Sequence, residues 1–400
     1  MKTIGLLKNA IMDYAWGSPF FLPKLLGKRN PSGRPWAELW MGAHPKAPSK
    51  VKYKGRWVSL KALIEQHPQE TLGRRTADRF DNTLPYLFKV LAVAKPLSIQ
   101  AHPSLKQAKA GFEMENRLGI PLDSPQRNFR DDKHKPECIC AMSKFHALCG
   151  FRKFADIVAL LTESCPRGIA AELEHLRKNP DAGGLKKFYL DLMRMDSGRR
   201  RRVIHETLQN TKKLSDQQLK YWIERIAAEY TNDIAILSPM LLNLICLEPG
   251  QALFLSAGEL HAYLDGFGIE LMANSDNVLR GGLTEKHIDL QQLVEVVHFT
   301  PRKLKVLEAA TAGKNEQIFF NPSDEFVLSR IGVGPRSTYQ SPADRSIEIL
   351  LCTDGRAGIK DRGTGDVLEI KKGDSVVVPA ALKRYSISGA ADLYKAAVPD

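Results

Sequence analysis

The chain has no run of apolar residues near the ~18 that a membrane-crossing helix requires, which excludes a helical membrane protein. Its first residues, Met1-Lys2-Thr3-Ile4-Gly5-Leu6-Leu7-Lys8-Asn9, lack the long apolar stretch and cleavage site of a secretory leader. Cysteine is sparse. The six residues Cys138, Cys140, Cys149, Cys165, Cys246 and Cys352 contain no Cys-x-x-Cys pair, which argues against a zinc knuckle and for reduced, buried thiols. A soluble, cytoplasmic protein is expected. Acidic charge is also short: 45 Asp and Glu face 58 Lys and Arg, a formal net charge of +13. That surplus favours an anionic partner. Acid and base are interspersed along most of the chain, which favours a small phosphorylated molecule over nucleic acid.

With 400 residues, 43% of them hydrophobic and 26% charged, the chain can bury two or three separate cores. Residues 1–50 read as short strands and turns rich in aromatics, with Trp16 and Trp40 as core or wall residues. A short helix is expected over Val58–Glu65. Leu84–Ala94 is a continuous apolar run of strand character. Lys89 breaks it, and either snorkels outward or faces a polar cavity. A helix is expected over Ser104–Leu118, then a polar loop over Pro121–Asp132. Residues 153–231 carry a series of helix-period segments, including the basic run Arg199–Arg202, which reads as a solvated helix start. Strand patterning resumes at Ser238. The last 80 or so residues have turn signals at sandwich or barrel spacing.

Chemistry concentrates in four places. In Pro96-Leu97-Ser98-Ile99-Gln100-Ala101-His102-Pro103, strand alternation puts Ser98, Gln100 and His102 on one face. Glu137 opens a second apolar strand, where a lone carboxylate needs a partner or a metal. A turn–strand–bend unit beginning at Gly250 leads to His261. A second such unit begins at Gly373 and places Arg384 where the first has its histidine, a weak internal repeat. Arginine is no metal ligand, so chemistry is expected in the first β domain only. The fourth place is the polar loop after Ile269, with Glu270, Asp276, Arg280 and Lys286.

Gln100, His102, Glu137 and His261 resemble the cupin metal pattern, with 34 residues inserted between His102 and Glu137 and with glutamine in place of the usual first histidine. Such a donor set suits Zn²⁺ best, with Mn²⁺ or Fe²⁺ also compatible. More specifically, the segments Tyr14–Gly17, Ala37–Pro45, Pro96–Pro103, His134–Glu137 and Gly258–Leu283 resemble the type I mannose-6-phosphate isomerase (phosphomannose isomerase) family. The resemblance implies a mainly β fold of two cupin-like jelly-roll domains with an α-helical domain inserted. The expected division is 1–152 with 232–320 as the catalytic domain, 153–231 as the helical insertion and 321–400 as a degenerate C-terminal cupin-like domain.

The resemblance further implies interconversion of mannose 6-phosphate and fructose 6-phosphate, one Zn²⁺ held by Gln100, His102, Glu137 and His261, and Arg280 as an essential arginine. The chain departs from the family at Glu285, where proline is common. Isomerisation through a cis-enediol needs a proton carrier, and His134, Lys135, Glu270 and Asp276 are the candidates. Ser98, Lys89 and Lys286 are candidates for the phosphate, as is Lys135 if it is not the base. A monomer is expected. The alternatives are a cupin-type metal oxygenase and a non-catalytic sugar-binding cupin.

Overall fold

The computed structural model describes residues 1–165 and 167–399. Two antiparallel sheets and a block of helices make up the chain. The first sheet runs, neighbour to neighbour, through Ala10–Met12, Glu38–Gly42, Tyr86–Val93, His261–Ala273, Glu137–Ala141, Ala252–Leu255 and Val306–Leu307. The second runs through Ala310–Thr311, Glu316–Phe319, Val327–Val333, Tyr385–Ala397, Glu348–Asp361, Ser375–Val378, Gly5–Lys8, Lys50–Tyr53 and Arg56–Ser59.

One long strand joins two layers of the first sheet. The start of His261–Ala273 pairs with Gln100 and with Phe145–Phe151, whereas Gly266–Ala273 pairs with Tyr86–Val93 and, in part, with Glu137–Ala141. The change of partner falls at Gly266, whose φ is +134°. A Cβ there would lie 2.7 Å from the Phe145 ring and 2.8 Å from the Lys144 carbonyl oxygen, so glycine answers both a conformational and a steric demand. Tyr385–Ala397 repeats the arrangement in the second sheet, with Gly389 at φ +133°. Each sheet thereby folds into a two-layered, cupin-like jelly roll.

Strand alternation then separates three cores. Leu91, Val93, Ile139, Ala141 and Tyr263 fill the first barrel. Leu350, Ile359, Val376 and Tyr385 fill the second. The opposite faces of the same strands, through Phe88, Cys138, Ile269, Leu328 and Ile349, pack barrel against barrel. The helices Phe154–Ser164, Ala170–Lys178, Ala182–Met193, Ser197–Asn210 and Gln217–Glu229 leave from Phe145–Phe151 and return through Leu242–Leu247. Those two strands pair with each other, so the insertion exits and re-enters the first sheet at one point. Asp181, Asp196 and Asp216 cap three of its helices. In the basic run, Arg199 reaches Glu172 at 2.7 Å.

Three local expectations change. Arg56–Ser59 is a hairpin strand against Lys50–Tyr53, and the helix starts at Leu60 with Ser59 as its cap. Cross-strand pairing of Val58 with Val51 outweighs its helical spacing. Only Gln100–Ala101 of the Pro96–Pro103 stretch is strand, although Leu97 and Ile99 still donate to the carbonyl oxygens of Tyr263 and Gly282. The sheets also cross the expected division of the chain: Gly5–Lys8, Lys50–Tyr53, Arg56–Ser59 and Glu316–Phe319 all belong to the second sheet.

The internal repeat has a consequence for charge. Gly250 and Gly373 share φ values of +90° and +88°. In the strands that follow, Leu255 lies opposite Glu137 and Val378 lies opposite Glu348. Glu348 therefore holds the ladder position in the second barrel that Glu137 holds in the first. Its carboxylate is 3.3 Å from Arg345 Nη1 and 3.3 Å from Lys395 Nζ, all three groups being buried. Arg384 is exposed, just before its strand. The second barrel thus neutralises its glutamate with its own cations. Replacing Arg345 by Met is expected to destabilise the fold by about 3 kcal/mol, the cost of stranding one member of a buried pair. Adding Glu348→Gln should recover part of that loss; denaturant unfolding of the single and double variants measures both.

Candidate metal centre

The short strand Gln100–Ala101 sets the site. Gln100 lies directly opposite His261 on one side and Arg280 on the other. Directly opposed residues share a face, so Gln100, His261 and Arg280 stand in a row across three strands. Glu137 lies opposite Leu255 and Met272, and its side chain emerges on the barrel-interior face, as Ile139 does. His102 follows Gln100 by two residues and completes the group.

His102, Glu137 and His261 each offer one atom, and these atoms all lie within 4.8 Å of one another. All three residues are 1% exposed. The His102 Nδ1–H donates to the Asn277 carbonyl oxygen at 2.7 Å, and the His261 Nδ1–H donates to the Glu259 carbonyl oxygen at 2.9 Å. A carbonyl can only accept, so each Nδ1 carries the proton and each Nε2 presents a lone pair. Both Nε2 atoms and Glu137 Oε2 are buried without a hydrogen-bond partner. Orphaned acceptors converging in a dry interior are costly unless a cation sits among them. Burial, aided by Lys135, pushes the His102 imidazole down to about 4, which keeps it in the neutral form a ligand needs. The three donors therefore fit a metal ion, and Gln100 stands opposite His261 in the ladder.

Charge in the barrel points the same way. Lys135 Nζ is 3.0 Å from Glu137 Oε1. Although burial opposes it, Lys135 holds the Glu137 carboxyl well below its ordinary range. Lys89 faces inward, 3.0 Å from Glu270 and 3.7 Å from Glu38. Burial would lower the Lys89 ammonium, but these two carboxylates raise it above its ordinary value. Burial raises Glu270, against the pull of Lys89. Three buried carboxylates thus face two ammonium groups, and a divalent cation would offset the surplus.

Around Arg280 the balance reverses. Its guanidinium is half-buried and is lowered by burial and then by Arg130. Lys286 is lowered by burial and then by Arg280, Arg130 and Lys46. Arg280 and Lys286 make no ion pair among the described residues, so a dianion would relieve their repulsion. Ser98 is part-buried, one turn of the alternation before Gln100. Asp276 lies 2.9 Å from Lys46 Nζ and 3.5 Å from His44 Nε2. Burial would raise its carboxyl, but those two partners hold it below the usual carboxylate range. His134 Nε2 meets Glu325 at 2.5 Å. Sequence reading did not single out Glu38, Arg130 or Asn277. Glu38 carries the same signal as Lys89, a charge in an apolar strand. Arg130 and Asn277 lie in polar loops, where composition carries no such signal.

The profile of the phosphomannose isomerase type I catalytic domain matches residues 4–154. The mannose-6-phosphate isomerase of Salmonella typhimurium is 40% identical over 387 residues, 96% of each chain. That of Bos taurus is 31% identical over 415 aligned positions, covering 94% of this chain and 93% of its own. A solved structure of a zinc-bound mannose 6-phosphate isomerase superposes with a TM-score of 0.92 at 37% identity, covering 99% of this chain and all of that one. A substituted phosphomannose isomerase from Salmonella typhimurium superposes with a TM-score of 0.93. Full-length similarity and a buried two-histidine, one-glutamate centre agree: the chain belongs to the type I phosphomannose isomerase family.

Proposed function

We propose that the protein interconverts mannose 6-phosphate and fructose 6-phosphate at this centre, with one Zn²⁺ held by His102, Glu137, His261 and Gln100. The observation that carries the reading is the convergence of two unprotonated Nε2 atoms and an unpartnered Glu137 oxygen beside the uncompensated cations Arg280 and Lys286. Bound zinc supplies a Lewis acid that polarises substrate oxygens. The chain's own groups do the rest. Arg280, next to Gln100, stabilises negative charge as it develops on the enediol oxygens. Lys286 and Arg280, with Ser98 nearby, receive the phosphate.

The proton carrier must have a pKa near the operating pH. Asp276 is held too low by Lys46 and His44 to accept a proton readily. Glu270 is raised and buried, and we assign it the transfer between C2 and C1. Lys89 is engaged by Glu270 and Glu38, so its part is to keep Glu270 ionised rather than to hold phosphate. Lys135 neutralises Glu137 and faces the same space. No helix among the described residues is long and apolar enough to cross a membrane.

Chelation is expected to abolish turnover of mannose 6-phosphate, and Zn²⁺ at one equivalent per chain to restore it, while His102→Ala should neither retain zinc nor recover. A coupled assay with metal analysis reads both. Replacing Lys286 by Met should raise KM for mannose 6-phosphate about 10–100-fold, the loss of one charge-assisted phosphate contact, with a smaller change in kcat. Glu270→Gln should stop exchange of the C2 hydrogen of mannose 6-phosphate with deuterated solvent. Lys89→Met removes the charge that lowers Glu270. The Glu270 pKa then rises, and the acid limb of kcat/KM, which falls as Glu270 protonates, should move to higher pH by about one unit. A limb that stays in place would return Lys89 to the phosphate site and Glu270 to a structural role.

A further inference from the structure

Asn277 is fully buried, at 0% exposure, in the loop between the strand ending at Ala273 and Arg280. Every polar group it has is used. Its Oδ1 accepts from the backbone N–H of Arg130 at 2.7 Å and of Asp131 at 3.2 Å. Its Nδ2 donates to the carbonyl oxygens of Asp131 and Lys133, both at 2.8 Å, and lies 3.2 Å from Asp131 Oδ1. The Asp131 carboxylate closes the clasp from the other side, accepting from Ser275 Oγ at 2.7 Å and from the Asp276 N–H at 2.8 Å. Meanwhile the Asn277 carbonyl oxygen receives the His102 Nδ1–H at 2.7 Å.

One side chain therefore joins segments far apart in sequence. On one side is His102. On the other is the segment 130–133, which leads straight into Lys135 and Glu137. The Asn277 carboxamide imitates a backbone strand edge, with two donors and two acceptors answering the main chain of that segment. Aspartate could not do this, because its second oxygen would face the carbonyls of Asp131 and Lys133 with no hydrogen to offer. We propose that Asn277 is the positioning residue of the metal centre: its carboxamide holds the loop that delivers Glu137 in register with its own carbonyl, which sets the tautomer and ring orientation of His102. The Asp131 carboxylate acts with it. Partners of this kind, one step removed from the metal, alter metal affinity without touching the ion.

The inference rests on the assignment of His102 as a ligand, and the experiment separates the two. Zinc affinity is measured by competition with a chromophoric chelator for the full chain and for the Asn277→Ala, Asn277→Asp, Asp131→Ala and His102→Ala variants. Thermal midpoints of the zinc-free forms are measured in parallel. The expected result is a ten- to hundred-fold loss of zinc affinity in Asn277→Ala and Asp131→Ala, a loss at least as large in Asn277→Asp, and no further loss when Asn277→Ala and Asp131→Ala are combined. Nitrogen-15 histidine spectra of the zinc-free protein should show His102 as the Nδ1–H tautomer in the parent and a tautomer mixture in Asn277→Ala. If Asn277→Ala does not fold, Asp131→Ala, at the outer side of the clasp, decides alone. Zinc affinity within twofold of the parent in Asp131→Ala and in any folded Asn277 variant, with His102→Ala still losing zinc, would overturn the inference. Undiminished zinc affinity in His102→Ala would overturn the ligand assignment beneath it.

Discussion

Glu137 is a carboxylate buried to 1% exposure at the first residue of an interior strand, and its neutralisation organises the surrounding structure. An ionised carboxylate in such a place is tolerable only with partners. Lys135 Nζ and His102 Nε2 lie 3.0 and 3.2 Å from one oxygen, and the other faces His261 Nε2 at 3.4 Å without a hydrogen-bond partner. The two backbone carbonyls that take the Nδ1 protons of those imidazoles decide that it is lone pairs, not N–H groups, that arrive. The site is built for a cation because Lys135 reaches only one Glu137 oxygen, while the second oxygen and both imidazoles present lone pairs.

The same ladder position in the second barrel shows the alternative solution. Glu348 stands where Glu137 stands, and Arg345 and Lys395 neutralise it from within the chain. Two barrels of one architecture therefore meet one electrostatic requirement differently. In the first, Lys135 meets it in part and the rest is left open to an ion. In the second, it is closed by a guanidinium and an ammonium that cannot leave. Binding chemistry in one barrel and a structural role in the other follow from which cation supplies the charge.

Beyond the metal, the site divides into a surplus of carboxylates inside and a surplus of cations at Arg280 and Lys286. Inside, Glu38, Glu137 and Glu270 outnumber Lys89 and Lys135. At the other end, Arg280, Lys286 and Arg130 repel one another. A zinc ion would relieve the first imbalance and a dianion the second. The polarity of the site thus suits a substrate that carries both polarisable oxygens and a dianion.

The sequence by itself determined the elements whose physics is local. Strand alternation paired Glu137 with Ile139 against Cys138 and Cys140. Helix spacing separated the insertion, the glycines at 250 and 373 marked the repeat, and a glutamate or lysine in an apolar strand signalled a buried partner. Tertiary structure alone decided the rest, because it depends on groups distant in the chain. Which nitrogen of His102 is free depends on a carbonyl at Asn277. Whether Lys89 meets phosphate or carboxylate depends on Glu270 in the neighbouring strand. The turn of His134 toward Glu325, the grouping of Arg130 with Arg280, and the recruitment of Gly5–Lys8 into the second sheet are likewise long-range pairings, with no periodic trace in the segments that make them.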